Sequence, residues 1–260
     1  TFPHMGNMDI AIKAMLEFVG LDVVVPPAIS KKTLNLGTQH SPESACLPLK
    51  INLGNFMEAF ELGANTIVMS GGWGPCRFGY YAQVQREILR DLGCDFDLIV
   101  LEAPDSRLTD IIGQVKDLAG DCTWWQIGQA IRLGWEKVKA LDTLEMTVAK
   151  LRPREVKRGQ VEAVNRQVIQ EIDRAADRSE IQAALREGKR SFDQIDLDWD
   201  RPVLRIGLIG EIYTVLEPFI NLHIEQHLGR LGAEVTRGIY LSQWVNDHLF
   251  GGVLRVPSTK

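Results

Sequence analysis

Cys46 and Cys76 are the residues whose types and settings point most directly to chemistry. Cys46 lies in Pro42-Glu43-Ser44-Ala45-Cys46-Leu47-Pro48, and Cys76 in Gly71-Gly72-Trp73-Gly74-Pro75-Cys76-Arg77-Phe78-Gly79-Tyr80-Tyr81. Each cysteine precedes an apparent helix, and the second follows an apolar strand. The N-terminus of a helix favours a thiolate over a thiol, and glycine-rich backbone presents N–H donors to bound sulfur. Two such elbows in one α/β chain suggest one shared iron–sulfur site, with Cys46 and Cys76 as metal ligands.

The flanking residues fit that use. Gly71, Gly72 and Gly74 let the backbone approach a bound group closely, and Gly74, Arg77 and Gly79 are the candidate cofactor-binding residues. Arg77 stands beside the thiol, where it can favour the thiolate or pair with an anionic ligand. Lys50, four residues after Cys46, adds positive charge. The competing explanation is a tight strand–helix turn that grips a phosphate, with Cys76 incidental and Cys46 a buried structural thiol. Cys94, after Gly93, and Cys122, before Thr123-Trp124-Trp125, read better as structural cysteines. A 4Fe–4S cube usually takes four thiolates. The shortfall has three possible sources: a segment beyond Lys260, a second subunit, or an iron left open for Lewis-acid chemistry. With no CxxC pair, a zinc ribbon is disfavoured.

Other candidates are weaker. His4 sits on the opening turn, where backbone hydrogen bonding is the plainer role. His223 and His227 are spaced to share one helix face, a metal-binding spacing that lacks a third ligand here. Glu211 follows a strand end, where it could act as a base or simply meet a helix dipole. No GxGxxG or GxxxxGK[ST] occurs, so any ATP is expected on a partner.

These residues need a frame. The chain has 260 residues, 45% hydrophobic and 24% charged, an ordinary globular composition. A net charge of -5 and a pI near 5.6 argue against nucleic acid as a partner. The cluster Arg152, Arg154, Lys157 and Arg158 reads as a solvated helix face. No apolar stretch reaches the roughly 20 residues of a membrane helix, and no signal peptide is expected. Four irregularly spaced cysteines suit a reducing cytoplasm. The start at Thr1-Phe2-Pro3 and the stop after Gly251-Gly252 suggest a portion of a longer polypeptide.

The fold class expected is α/β: two Rossmann-like parallel-sheet lobes with a helical insertion between them, the second lobe incomplete. Residues 1–105 form the first lobe and carry Cys46 and Cys76. In it, Phe2-Pro3 ends a strand. Helices run over Met8–Phe18, Leu49–Leu62 and Phe78–Leu92, and strands over Asp22–Val25, Thr66–Met69 and Phe96–Leu101. Residues 106–200 are the helical insertion and an acidic linker, with helices near Leu108–Leu118, Trp124–Leu141, Arg154–Ala176 and Glu180–Glu187. Residues 201–260 begin the second lobe: strand Val203–Ile209, helix Val215–Leu231, strand Ala233–Arg237. Such folds bind ligands at the C-terminal ends of their strands, here in a cleft between lobes.

Particular stretches carry a family resemblance. They are Phe2-Pro3-His4-Met5-Gly6-Asn7, Cys46-Leu47-Pro48-Leu49-Lys50, Gly74-Pro75-Cys76-Arg77-Phe78-Gly79-Tyr80-Tyr81, Gln85-Arg86-Glu87-Ile88-Leu89, and Gly210-Glu211-Ile212-Tyr213 through Glu217-Pro218-Phe219. The chain resembles the D-component family of 2-hydroxyacyl-CoA dehydratases, and more closely its single-chain CoA-enzyme activase-related and double-cubane-cluster-like relatives. The resemblance implies an iron–sulfur cluster, 4Fe–4S or larger, held by three cysteines per chain. Cys46 and Cys76 match the first two, and neither Cys94 nor Cys122 matches the third. It also implies low-potential electrons from a separate ATP-hydrolysing iron–sulfur activator, passed on to an acyl-CoA or other small substrate. A homodimer is expected, since incomplete ligation invites a second chain. The alternatives are a non-catalytic cluster carrier or assembly scaffold, and a phosphate-binding Rossmann-like protein.

Overall fold

The computed structural model describes residues 1–72, 76–101 and 108–247. In chain order the elements are α1 (Met8–Phe18), α2 (Lys31–His40), α3 (Leu47–Glu61), β1 (Thr66–Ser70), α4 (Tyr81–Asp91), β2 (Asp97–Leu101), α5 (Leu108–Ala119) and α6 (Trp124–Leu151). They continue with α7 (Gln160–Arg174), α8 (Arg178–Asp193), β3 (Leu204–Leu208), α9 (Ile212–Leu216), α10 (Ile224–Arg230), β4 (Ala233–Arg237) and α11 (Leu241–Val245). The protein is mixed α/β, mainly helical, with two small parallel strand pairs. The chain divides into two compact units, residues 1–131 and 132–260. Among the described residues no helix is long and apolar enough to cross a membrane.

In the first unit β1 pairs with β2 in parallel, Ile67 opposite Leu98 and Met69 opposite Val100. The β1 residues Ile67, Val68 and Met69 are all buried, as expected for a parallel strand covered on both faces. Helix α4 makes the crossover. Its buried residues Tyr81, Ala82, Gln85 and Leu89 recur at helical spacing. Helix α3 is buried almost all round: Ile51, Leu53 and Phe56 are fully covered, and Leu49, Leu53, Phe56, Ile67, Met69, Tyr81 and Leu89 share one core. Gly63 and Gly93, at φ 95° and 80°, end α3 and α4 in the left-handed region that glycine adopts without a Cβ clash.

Thr1 lies along the other edge of β1. Its amino group donates to the Thr66 carbonyl at 2.7 Å, and its own carbonyl accepts from Val68 N–H at 2.8 Å, the pattern of a parallel bridge to Ile67. Asp22–Val25, expected as a strand, is not paired into a sheet. Pro26 and Pro27 beyond it have no N–H to donate, and Asn55 holds the segment instead, its amide donating to the Pro27 carbonyl at 3.0 Å.

Helix α2 was not anticipated. Ser30 and Thr33 close a reciprocal capping box at its start, and α2 crosses α3 with the two backbones in contact. A Cβ on Gly37 would overlap the Lys50 carbonyl, and one on Gly54 the Thr33 carbonyl. Thr33 Oγ1 donates to Glu58 at 2.5 Å, which satisfies a carboxylate buried on α3.

In the second unit β3 and β4 pair in parallel, Ile206 opposite Val235. The single helix expected over 215–231 is two short helices. Pro218 follows the end of α9, and Leu222 and His223 turn the chain at φ 58° and 54° before α10 begins. Helices α7 and α8 pack together, with Gly188 against the Val168 side chain.

Candidate metal centre

Cys46 is the N-cap residue of α3, in extended backbone at φ -68° and ψ 156°. Pro48 follows in the first turn, where a missing N–H costs no helical bond. The loop before it is closed twice. Ala45 N–H donates to the Pro42 carbonyl at 3.0 Å, and Lys50 Nζ reaches back to the Glu43 carbonyl at 3.0 Å. Cys46 is half-buried, and its Sγ lies 2.6 Å from the hydroxyl of Tyr81.

Cys76 caps a short 3-10 turn, Arg77–Tyr80, that leads into α4. Its side chain is exposed. The segment before it leaves the C-terminal end of β1, where Gly71 N–H extends the ladder to the Leu101 carbonyl at 2.9 Å. Gly72 and Gly79 pack on each other: a Cβ on Gly79 would strike the Gly72 carbonyl, and one on Gly72 would press on the Phe78 ring. Gly79 therefore serves the fold of its own loop. Gly74, the other glycine expected at the site, lies outside the described residues.

The two cysteine loops are neighbours. Arg77 Nη1, on the residue after Cys76, donates to the Ser44 carbonyl at 3.2 Å, two residues before Cys46. Phe78 meets Tyr81 edge-on, with ring centroids 5.2 Å apart, and Ala45, Cys46 and Phe78 all pack against the same core. Cys76 and Arg77 thus follow the C-terminal end of β1, and Arg77 ties their loop to the one that precedes Cys46. Thiolates are soft donors suited to iron–sulfur clusters and zinc. Among the described residues, no group of three or more His, Cys, Asp or Glu side chains is gathered to hold a metal.

The remaining candidates fall elsewhere. His4 is half-buried on the loop before α1, three residues past Thr1. His223 stands outside α10 as its N-cap, its backbone N–H donating to the Pro218 carbonyl at 2.7 Å, so it does not share a helical face with His227. Glu211 caps α9, its carboxylate accepting from Tyr213 N–H at 3.1 Å and Thr214 N–H at 3.0 Å. Burial pushes the Cys94 thiol pKa up, and Cys122 Sγ donates to the Val19 carbonyl at 3.3 Å.

Tyr81 and Gln85 were not singled out from the sequence. Both are buried on one face of α4, and Gln85 Nε2 donates to the Leu49 carbonyl at 3.2 Å. Their i, i+4 spacing, beginning at the last residue of the Cys76 segment, is the available signal. No family model, curated protein or solved structure matches the chain.

Proposed function

We propose that the chain is an iron–sulfur protein in which Cys46 and Cys76 supply two thiolate ligands to one cluster. The observation that supports this best is the Arg77–Ser44 hydrogen bond, which joins the two cysteine loops. The donor chemistry fits two corners of a 4Fe–4S cube. The remaining ligands would come from outside the described residues or from a second copy of the chain. Such a cluster, when bound, supplies one-electron transfer. Arg77 and Lys50 would offset part of the negative charge of thiolates and sulfide, and the exposure of Cys76 would leave one side open to an electron donor.

The family resemblance supplies the rest of this reading. The two parallel strand pairs with helical crossovers would be parts of two Rossmann-like lobes. The donor would be an ATP-hydrolysing activator, the acceptor an acyl-CoA or similarly small substrate, and the setting the cytoplasm. A non-catalytic carrier would use the same cysteines. It differs in handing its cluster to an apo-acceptor and in reducing nothing when given activator, ATP and reductant. The phosphate-cradle alternative is disfavoured by the packing of Gly72 on Gly79, which already accounts for the absence of a side chain at Gly79.

The test is anaerobic reconstitution with iron and sulfide, followed by metal analysis and EPR. Wild type should retain iron and sulfide, and Cys46→Ser and Cys76→Ser should each lose most of it. A wild-type protein that ends without iron, or a Cys76→Ser variant that keeps its full complement, overturns the proposal.

A further inference from the structure

We infer that Tyr81 is a positioning residue that orients Cys46 Sγ and raises the reduction potential of the cluster that sulfur would hold. This rests on the proposed iron–sulfur function and gives a role to a residue at the end of the Cys76 segment that the sequence leaves without one. The Tyr81 hydroxyl lies 2.6 Å from Cys46 Sγ. Once the sulfur is a metal-bound thiolate it carries no proton, so the hydroxyl is the donor. Tyr81 is 4% exposed, so its side chain is largely shielded from water.

The donor is also held still. Tyr81 is the first residue of α4, its ring is wedged edge-on by Phe78, and one turn later Gln85 fastens α4 to the Leu49 carbonyl of α3. Together Tyr81 and Gln85 form a bracket between the start of α4 and the start of α3. The bracket fixes where Cys46 points whatever the nature of the bound group.

The effect on potential follows from charge. Reduction adds an electron to the cluster, and part of that charge resides on the ligand sulfurs. An O–H dipole aimed at one of them stabilises the reduced state more than the oxidised state. Removing the hydroxyl while keeping the ring should therefore move the midpoint potential to more negative values.

The test compares reconstituted wild type with Tyr81→Phe by EPR-monitored redox titration, with iron and sulfide measured on the same samples. The expected result is near-wild-type cluster content and a more negative midpoint in Tyr81→Phe. An unchanged midpoint at full cluster content overturns the inference and leaves the iron–sulfur function standing. A wild-type sample that binds no iron overturns both. Should Tyr81→Phe fail to fold, ENDOR of the reduced wild-type cluster in H2O and D2O decides. In protein grown with 17O-labelled tyrosine, a strongly coupled exchangeable proton together with a 17O coupling supports the hydroxyl donor, and the absence of either overturns it.

Discussion

Gly37 of α2 rests directly on the Lys50 carbonyl of α3, with no room between them for a methyl group. The same crossing repeats one helical stretch away, where Gly54 faces the Thr33 carbonyl. Because the obstacle is backbone, neither site can yield by rotating a side chain. Gly37→Ala and Gly54→Ala should each destabilise the first unit by on the order of 3 kcal/mol. Gly128 in α6 has open space around it. Gly128→Ala should stabilise by about 1 kcal/mol, through helix propensity alone. Urea unfolding of the three variants checks the contrast, and similar effects at all three positions would refute it.

The four thiols should differ in reactivity. Cys76 is exposed, and Cys46, Cys94 and Cys122 are partly covered. Pulsed alkylation of the metal-free protein, read by mass spectrometry, should mark Cys76 first. Cys94 should lag, because burial raises its pKa and lowers its thiolate fraction at any given pH. Labelling of Cys94 ahead of Cys76 would contradict the placement of both.

Two groups give stability opposite dependences on pH. The folded pKa of Cys94 lies above its unfolded value, so its stabilisation is complete at neutral pH and is lost as pH rises through the thiol range. Asp177 is lowered, first by the hydrogen bond from Glu180 N–H and then by Ser179 Oγ, so its contribution is present above the ordinary carboxylate pKa and lost as pH falls. The stability difference between wild type and Cys94→Ala should shift against wild type from pH 7 to pH 10. The difference for Asp177→Asn should shrink from pH 6 to pH 3. Differences that stay flat across these ranges would be the contrary result.

Glu211 should behave as a cap. Glu211→Ala should cost about 1 kcal/mol, whereas Glu211→Gln keeps an oxygen acceptor for the Tyr213 and Thr214 amides and should cost less. A reconstituted protein whose substrate turnover collapses in Glu211→Gln at unchanged thermal stability would instead mark this carboxylate as a participant in proton transfer.

Much of this arrangement is legible in the chain before any coordinates. Thr66–Met69 and Ala233–Arg237 read as strands because short runs with β-branched residues begin just after the helix-ending glycines Gly63 and Gly232, and Met8–Phe18 reads as a helix from its apolar spacing. The N-cap settings of Cys46 and Cys76 follow from Pro48 and from the glycines before Arg77. Helix α2 escapes notice because Lys31–His40 is polar and contains a glycine; its reason to be helical is the groove on α3 that Gly37 fits. Val23-Val24-Val25 has strand-like composition, but strand pairing needs a neighbour, and the Asn55 side chain takes up only the Pro27 carbonyl just beyond it. The meeting of Tyr81 with Cys46 spans 35 residues, a separation local spacing rules do not bridge.

In the second unit Arg237 of β4 sits between Glu225 of α10, which it meets at 2.6 and 2.7 Å, and Glu145 of α6 at 2.5 Å. Burial alone would lower its pKa, but Glu145 and Glu225 raise it instead. Arg237→Met should cost roughly 3–5 kcal/mol, the usual penalty for stranding a buried carboxylate. Chemical denaturation of wild type and Arg237→Met would show it.

That one guanidinium also has a consequence for how the second unit comes apart. It ties a strand, a short helix and a long helix from distant parts of the chain, so none of the three can open without exposing the charges of the others. Amide exchange in β4, α10 and the C-terminal part of α6 should therefore share a common opening energy, a single foldon with Arg237 as its rivet.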